Sequence, residues 1–197
     1  MNLTKGQRTK LKILETTAIL AAENGFVNLS YQAIADEIGL SQAAVIKHFP
    51  SKEELFKSVR ERASQSNQDW VNTFVEKKET GKEKLIEYSV QTCNWCIANP
   101  SFMQVLVLGY YSSATDKTMQ QANLQAWKNA KVKIRSFFEL HYSDLNLETP
   151  KDIENRVDQV HAWVTGLAIR QFVQYRSLPK STKLREAVEN FVFLVLK

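Results

Sequence analysis

Between Ser30 and Leu55 the chain reads SYQAIADEIGLSQAAVIKHFPSKEEL, and this spacing leaves room for little but two short helices across one sharp turn. Ala35 is small where two helices must cross. Gly39 stands where the chain must bend, at a positive φ that only glycine enters without steric cost. Ile34, Ile38, Leu40 and Val45 supply apolar positions that lock the pair. Such a helix-turn-helix presents its second helix to a major groove, with the residues near its N-terminus at the base edges. That helix is expected from about Gln42 to Phe49.

The same stretch continues as His48-Phe49-Pro50-Ser51-Lys52-Glu53-Glu54-Leu55. These residues resemble the "HF-x-SKEEL" signature of the TetR family of bacterial transcriptional regulators. Gly25-Phe26, Ser30 and Ile34-Ala35 match that family's spacing, and the resemblance covers roughly residues 8 to 60. Over the remaining two-thirds it extends only to length and helical character, as for a variable ligand-binding domain.

Six Gly and four Pro in 197 residues leave little scope for turn-rich β architecture. The N-terminus has no charged-then-apolar signal pattern. The longest unbroken apolar run, Phe191 to Leu196, is far below the ~20 residues of a membrane helix. A soluble, cytoplasmic, all-α protein without membrane attachment is expected. Formal net charge is +5, and its placement matters more than its size. Lys5, Arg8, Lys10 and Lys12 occur with no acid among the first twelve residues, whereas residues 1 to 62 hold nine basic against seven acidic groups. The reading is a basic arm on a nearly balanced domain, either a solvated helix start or, beside a helix-turn-helix, a phosphate contact.

Capping signals set the expected helix boundaries. Thr4 with Gln7 has the form of a capping box, and Ser51 with Glu54 repeats it. Ser30 and Ser41 cap the second and third helices. Asn24-Gly25 stops the first, with Gly25 in a left-handed cap and Phe26 turning back into the core. A fourth helix runs from Ser51 through Trp70 and Phe74 to about Lys78. Further helices are expected over about 82–98, 101–112, 116–142, 150–175 and 181–196, the eighth announced by Thr149-Pro150-x-Asp152. The expected organisation is a three-helix DNA-binding head, residues 1–50, joined by the long fourth helix to an effector-binding and dimerisation domain, 51–197.

On the third helix Val45 and Phe49 face inward, while Gln42, Ala43, Ile46 and Lys47 project outward. Gln pairs bidentately with adenine, and Lys bonds guanine or neutralises phosphate. The resemblance places a phosphate-contacting lysine at Lys52. Ser30 and Tyr31 are candidate phosphate donors, although capping is the main role of Ser30. His48 is either a packed turn residue or a DNA contact. Many relatives have Thr or Ser at Ala44 and Tyr at Ile46, both phosphate contacts. Here those hydroxyls are missing, and Ile46 either touches a thymine methyl or is simply exposed. Affinity then leans on Lys47, Lys52 and the N-terminal arm.

The C-terminal two-thirds carries many aromatics at helical spacing. At such spacing an aromatic is more often core than cavity wall, but their density across several helices is what an apolar ligand cavity needs. Tyr88, Thr92, Trp95, Phe102, Tyr110, Trp127 and Trp163 are the candidate ligand residues, with Gln91, Asn94, Gln104 and His161 as further polar points. Cys93-x-x-Cys96 lies in a helical aromatic segment with no second pair, so core thiols are the reading and a thiol-sensing site the alternative. No metal and no cofactor is expected. Val157, Val160, Val164, Leu167, Ala168, Val188, Phe191, Val192 and Val195 form apolar faces on the last two helices. They exceed the need of one small core unless Phe191 to Leu196 packs inside its own monomer. The resemblance implies a two-fold four-helix homodimer.

No nucleophile–base pair, paired carboxylates or metal set stands at meaningful spacing, so an enzyme is not expected. The function expected is a ligand-responsive regulator of double-stranded DNA, most simply a repressor. A small apolar or aromatic effector would release it from a pseudo-palindromic operator. The rival is a helical binding module that has lost DNA recognition, which the missing hydroxyls keep open.

Overall fold

The computed structural model describes residues 3–25, 28–174 and 182–197, and among these it contains nine α-helices and no strand. They are α1 (Lys5–Asn24), α2 (Tyr31–Ile38), α3 (Gln42–His48), α4 (Lys52–Val75), α5 (Gly81–Ala98), α6 (Pro100–Ser112), α7 (Lys117–Asp144), α8 (Ile153–Gln174) and α9 (Thr182–Leu196). The all-α class expected from the sequence is observed. Phe26, expected to enter the core, lies outside the described residues.

Local chemistry sets the boundaries. Thr4 and Gln7 close a reciprocal capping box at the start of α1. Ser30 Oγ accepts from the Ala33 amide at 3.0 Å, Ser41 Oγ from Ala44 at 3.2 Å and Ser51 Oγ from Glu54 at 3.1 Å. Each bond satisfies a donor that the first turn of a helix leaves over. A second complete box, Thr80 with Glu83, starts α5 and was not anticipated. Gly25 has the expected positive φ, 76°, but its ψ of 146° lies outside the left-handed helical well. Two boundaries differ from expectation: α4 ends at Val75, and α8 begins at Ile153 rather than at Pro150. Lys151 and Asp152 form a turn, and the Arg156 amide donates to the Asp152 carbonyl at 3.2 Å.

The chain divides into two compact units, residues 1–65 with 100–122, and residues 66–99 with 123–197. In the first, α1 packs on α2 and α6, and α2 on α3. Ile13, Ile34, Ala35, Val45, Phe49 and Val59 are wholly buried there, together with Val105 of α6. This unit is larger than the three-helix head, because α6 supplies an apolar wall for α1. In the second, α5 packs on α8 and α9. Leu85, Val90, Val157, Val160, Val188 and Val192 are almost completely removed from solvent. Each such side chain contributes roughly 1.5–3 kcal/mol relative to its exposed state.

The apolar faces of α8 and α9 therefore lie mainly within the chain's own core. Of the nine residues read as surplus apolar surface, Val157, Val160, Val164, Ala168, Val188, Val192 and Val195 are buried within the chain, while Leu167 and Phe191 are half-buried. Among the described residues, the large apolar side chains exposed on these helices are Val173, Phe193 and Leu194. Trp163 stacks on Phe191 with ring centroids 4.1 Å apart and planes 8° from parallel.

Candidate nucleic-acid interface

The turn between α2 and α3 is set by Gly39, at φ 71° and ψ 39° in the left-handed helical region. Its amide lies against the Ala35 and Asp36 carbonyls, and the Leu40 amide donates to Ala35 at 2.9 Å. Ala35, wholly buried, lets α2 lie close to its neighbours. Beyond the turn, Ser41 caps the seven-residue α3.

Val45 and Phe49 at 0 % exposure fix α3 about its axis. Gln42, Ala43, Ile46 and Lys47 are all exposed, as the spacing requires. Ile46 is 40 % exposed, an apolar side chain held in solvent on this face. Ala44 and His48 are half-buried at the margins.

Ser30, Tyr31 and Lys52 are brought together by tertiary structure. They line a crease with Leu29, Ile34 and Leu55, where the start of α2 meets the start of α4. Ser30 Oγ is engaged as the α2 cap. The Tyr31 hydroxyl is buried and has no hydrogen-bond partner among the described residues. Burial, with the nearby Glu53 and Glu54 carboxylates, pushes its pKa above the usual phenol value. The phenol therefore stays a neutral donor.

The basic arm is partly committed to the fold, which charge counting did not reveal. Lys10 Nζ lies 5.3 Å from the Phe49 ring centre, a cation–π contact against the end of α3. Lys12 Nζ donates to the Ile38 carbonyl at 3.3 Å, closing the C-terminal end of α2. Lys5 and Arg8 remain exposed on the first two turns of α1.

The seven candidate ligand residues do not gather in one unit. Phe102 and Tyr110 belong to the first, and Phe102 packs against its core. Tyr88, Thr92, Trp95, Trp127 and Trp163 belong to the second. There Trp95 is 1 % exposed, and its Nε1 donates to Ser66 Oγ at 3.2 Å. Thr92 Oγ1 donates to the Tyr88 carbonyl at 2.8 Å, and Tyr88 meets Phe137 edge-on. Trp127, another candidate ligand residue, is 37 % exposed beside His161.

Gln91 belongs to a polar chain rather than standing alone. It accepts from Trp70 Nε1 at 3.2 Å and donates to Glu87 at 2.8 Å, and Glu87 accepts from Arg185 at 2.8 Å. Cys93 and Cys96 are buried, and burial pushes the Cys93 thiol up to about 12 and Cys96 higher still. Neither supplies a thiolate near neutral pH.

Residues 13–59 match the model of the bacterial regulatory proteins of the tetR family. The nucleoid occlusion factor SlmA of Actinobacillus pleuropneumoniae serotype 5b (strain L20) is 28 % identical over 102 residues, 51 % of this chain and 48 % of that protein. The same figures hold for SlmA of serotype 3 (strain JL03). The chain thus spans about half the length of the curated relatives it matches. A transcriptional regulator from Rhodococcus sp. Rha1 superposes with a TM-score of 0.77 at 19 % identity, over 95 % of this chain and 96 % of that one. The TetR family regulator PfmR from Thermus thermophilus gives 0.68 at 20 %, over 93 % and 96 %. A regulator from Saccharomonospora viridis in complex with choline gives 0.76 at 19 %, over 94 % and 96 %. At such identities the likeness shows the fold.

Proposed function

We propose, from the match of residues 13–59 to the tetR family model and the shared fold, that this chain is a TetR-type ligand-responsive, sequence-specific repressor, released from its operator by a small apolar or aromatic effector. One observation carries the reading: on α3, Val45 and Phe49 are wholly buried while Gln42, Ala43, Ile46 and Lys47 are exposed. A short helix held on one side and bare on the other is what entry into a major groove demands.

Gln42, at the start of α3, reads a base edge; Ala43 and Ile46 make apolar contact, Ile46 with a thymine methyl. Lys47 and Lys52 neutralise phosphate, and Ser30, Tyr31 and His48 flank the same backbone. The gathering of Ser30, Tyr31 and Lys52 along one crease supports this placement. Lys5 and Arg8 are the arm residues left to add charge, because Lys10 and Lys12 hold α2 and α3 in place.

The protein acts as a homodimer in the cytoplasm, its two heads meeting half-sites about one helical turn apart on a pseudo-palindromic operator. The functional boundary falls at residue 50, with effector binding and dimerisation in 51–197. Among the described residues no helix is long and apolar enough to cross a membrane. The effector must bind the two conformations unequally, or it shifts nothing. A coupling of ~1–3 kcal/mol acting through α4 on the paired heads suffices.

The test is an electrophoretic shift with DNA from upstream of the protein's own gene. Sequence-selective, salt-sensitive retention is expected. No retention even at low salt would leave a helical binding module without DNA recognition.

A further inference from the structure

Arg60 lies on α4 in the first unit and is 2 % exposed. A guanidinium carries five donors. Nη1 donates to the Ala122 carbonyl at 3.2 Å, while Nε is sealed from solvent and has no hydrogen-bond partner among the described residues. The neighbouring Arg62 pairs with Glu15 and Lys57 with Glu61, yet among the described residues no carboxylate stands within ion-pair distance of Arg60. Burial pulls its pKa below the usual guanidinium value, with Tyr110 and Glu61 acting weakly the other way. A buried charge without a counterion is among the least favourable things a fold can hold.

The surroundings keep this cation dry. Gly109 of α6 comes so close that a methyl group on it would stand 3.1 Å from both Cδ and Nε of Arg60. The Met119 sulfur lies 3.6 Å from the same point, and Met119 is itself buried.

We propose that Arg60 is the anchor for the carboxylate of the effector, which is therefore an organic acid with an apolar body. This assignment rests on the reading of the chain as a ligand-responsive regulator. The planar fork of a guanidinium matches a carboxylate bidentately, and Nε forms part of that fork. A monoanion neutralises the single buried charge. A dianionic phosphate monoester would leave one charge over in the same low-dielectric place. A quaternary ammonium, such as the choline bound by the Saccharomonospora viridis regulator, would add a second positive charge.

The experiment uses the full chain with octanoate and phenylacetate, their neutral partners octanamide and phenylacetamide, and choline, read by calorimetry and thermal unfolding. At least one acid binds saturably and raises Tm. Its amide binds about tenfold to a hundredfold more weakly, the range of a charge-assisted hydrogen bond, and choline does not bind. Arg60→Met abolishes the acid–amide difference and, without ligand, melts no lower than the parent, because an apolar group in place of a lone buried charge is neutral or stabilising. Arg60→Lys keeps a reduced preference for acid, lacking the fork. Gly109→Ala, which crowds the guanidinium without removing it, weakens the acid more than the amide.

Equal binding of acid and amide, tighter binding of choline, failure of both acids to bind, or an unliganded Arg60→Met melting well below the parent would each overturn the assignment. Retention of promoter DNA by the parent is measured alongside. Its absence sinks the regulator reading itself, whereas DNA binding without acid preference sinks only the role of Arg60.

Discussion

At Gly39 a side chain would meet nothing within 4 Å, so only the backbone resists substitution. Gly39→Ala therefore costs about 1–2 kcal/mol, the left-handed penalty of a β-carbon, and Gly39→Asn costs less. Urea unfolding of the two variants reads this order directly; an unchanged midpoint for Gly39→Ala would show that the turn relaxes. On α3 and α4 the predictions concern binding instead. Lys52→Ala weakens affinity for all sequences alike and lowers the salt slope by about one, as expected for a phosphate contact. Gln42→Ala relaxes preference at one base pair and costs about 1–3 kcal/mol on the preferred operator. A salt titration of both variants on specific and scrambled DNA separates the two roles. These positions were legible in the sequence because their determinants are local: a cap, a glycine and apolar residues one helical turn apart. Arg60 was not, since nothing in its own neighbourhood foretells that Gly109 and Met119 will close over it.

The first residue of α5, Gly81, must be glycine for a reason that only packing supplies. A β-carbon there would stand 2.2 Å from the Phe137 carbonyl oxygen and 2.3 Å from the His141 amide nitrogen, both backbone atoms of α7. The Gly81 amide also donates to Asp144 Oδ2 at 2.9 Å. Gly81→Ala must separate α5 from α7, and its effect belongs with overpacking of at least about 3 kcal/mol. Chemical denaturation checks the magnitude, and a loss below about 1 kcal/mol would mean that the helices are less tightly apposed. In the sequence, Glu79-Thr80-Gly81 looks like any polar turn, whereas helix type and length could be read from apolar spacing and caps. Helix α8 carries a pH dependence of its own. Burial and Lys131 hold the His161 pKa below its usual 6.5, against the opposing pull of Asp158. As pH falls through 6.5 the unfolded imidazole takes up a proton that the folded one resists, so stability declines on acidification. His161→Gln flattens that decline between pH 7.5 and 5.5, as urea midpoints at the two values would record. Equal pH slopes for parent and variant would place the acid sensitivity elsewhere.

For the molecule as a whole, the proposed function requires two heads to share one operator. The valines of α8 and α9 are committed to the chain's own core, whereas Leu167 and Phe191 are half-buried, so the proposed pairing of two copies would use what these helices leave exposed. Val173 at 78 % exposure, Phe193 at 51 % and Leu194 at 66 % are, among the described residues, the large apolar side chains that α8 and α9 leave in solvent. Sequence periodicity marks apolar residues but does not divide them between a chain's own core and its partner, because both faces repeat at helical spacing. Placing a carboxylate at both Phe193 and Leu194 puts two charges where a two-fold axis would bring them against their own copies, and like charges buried together are costly. Sedimentation equilibrium should then change from a dimer for the parent to a monomer for the double variant at micromolar concentration, with the helical circular dichroism unchanged. Operator affinity should fall about a hundredfold or more, because each head must now bind without the effective concentration its partner supplied. A double variant that remains dimeric, or one that loses the dimer yet grips the operator as before, would separate DNA reading from this face of α9 and require the pairing of heads to come from the DNA itself.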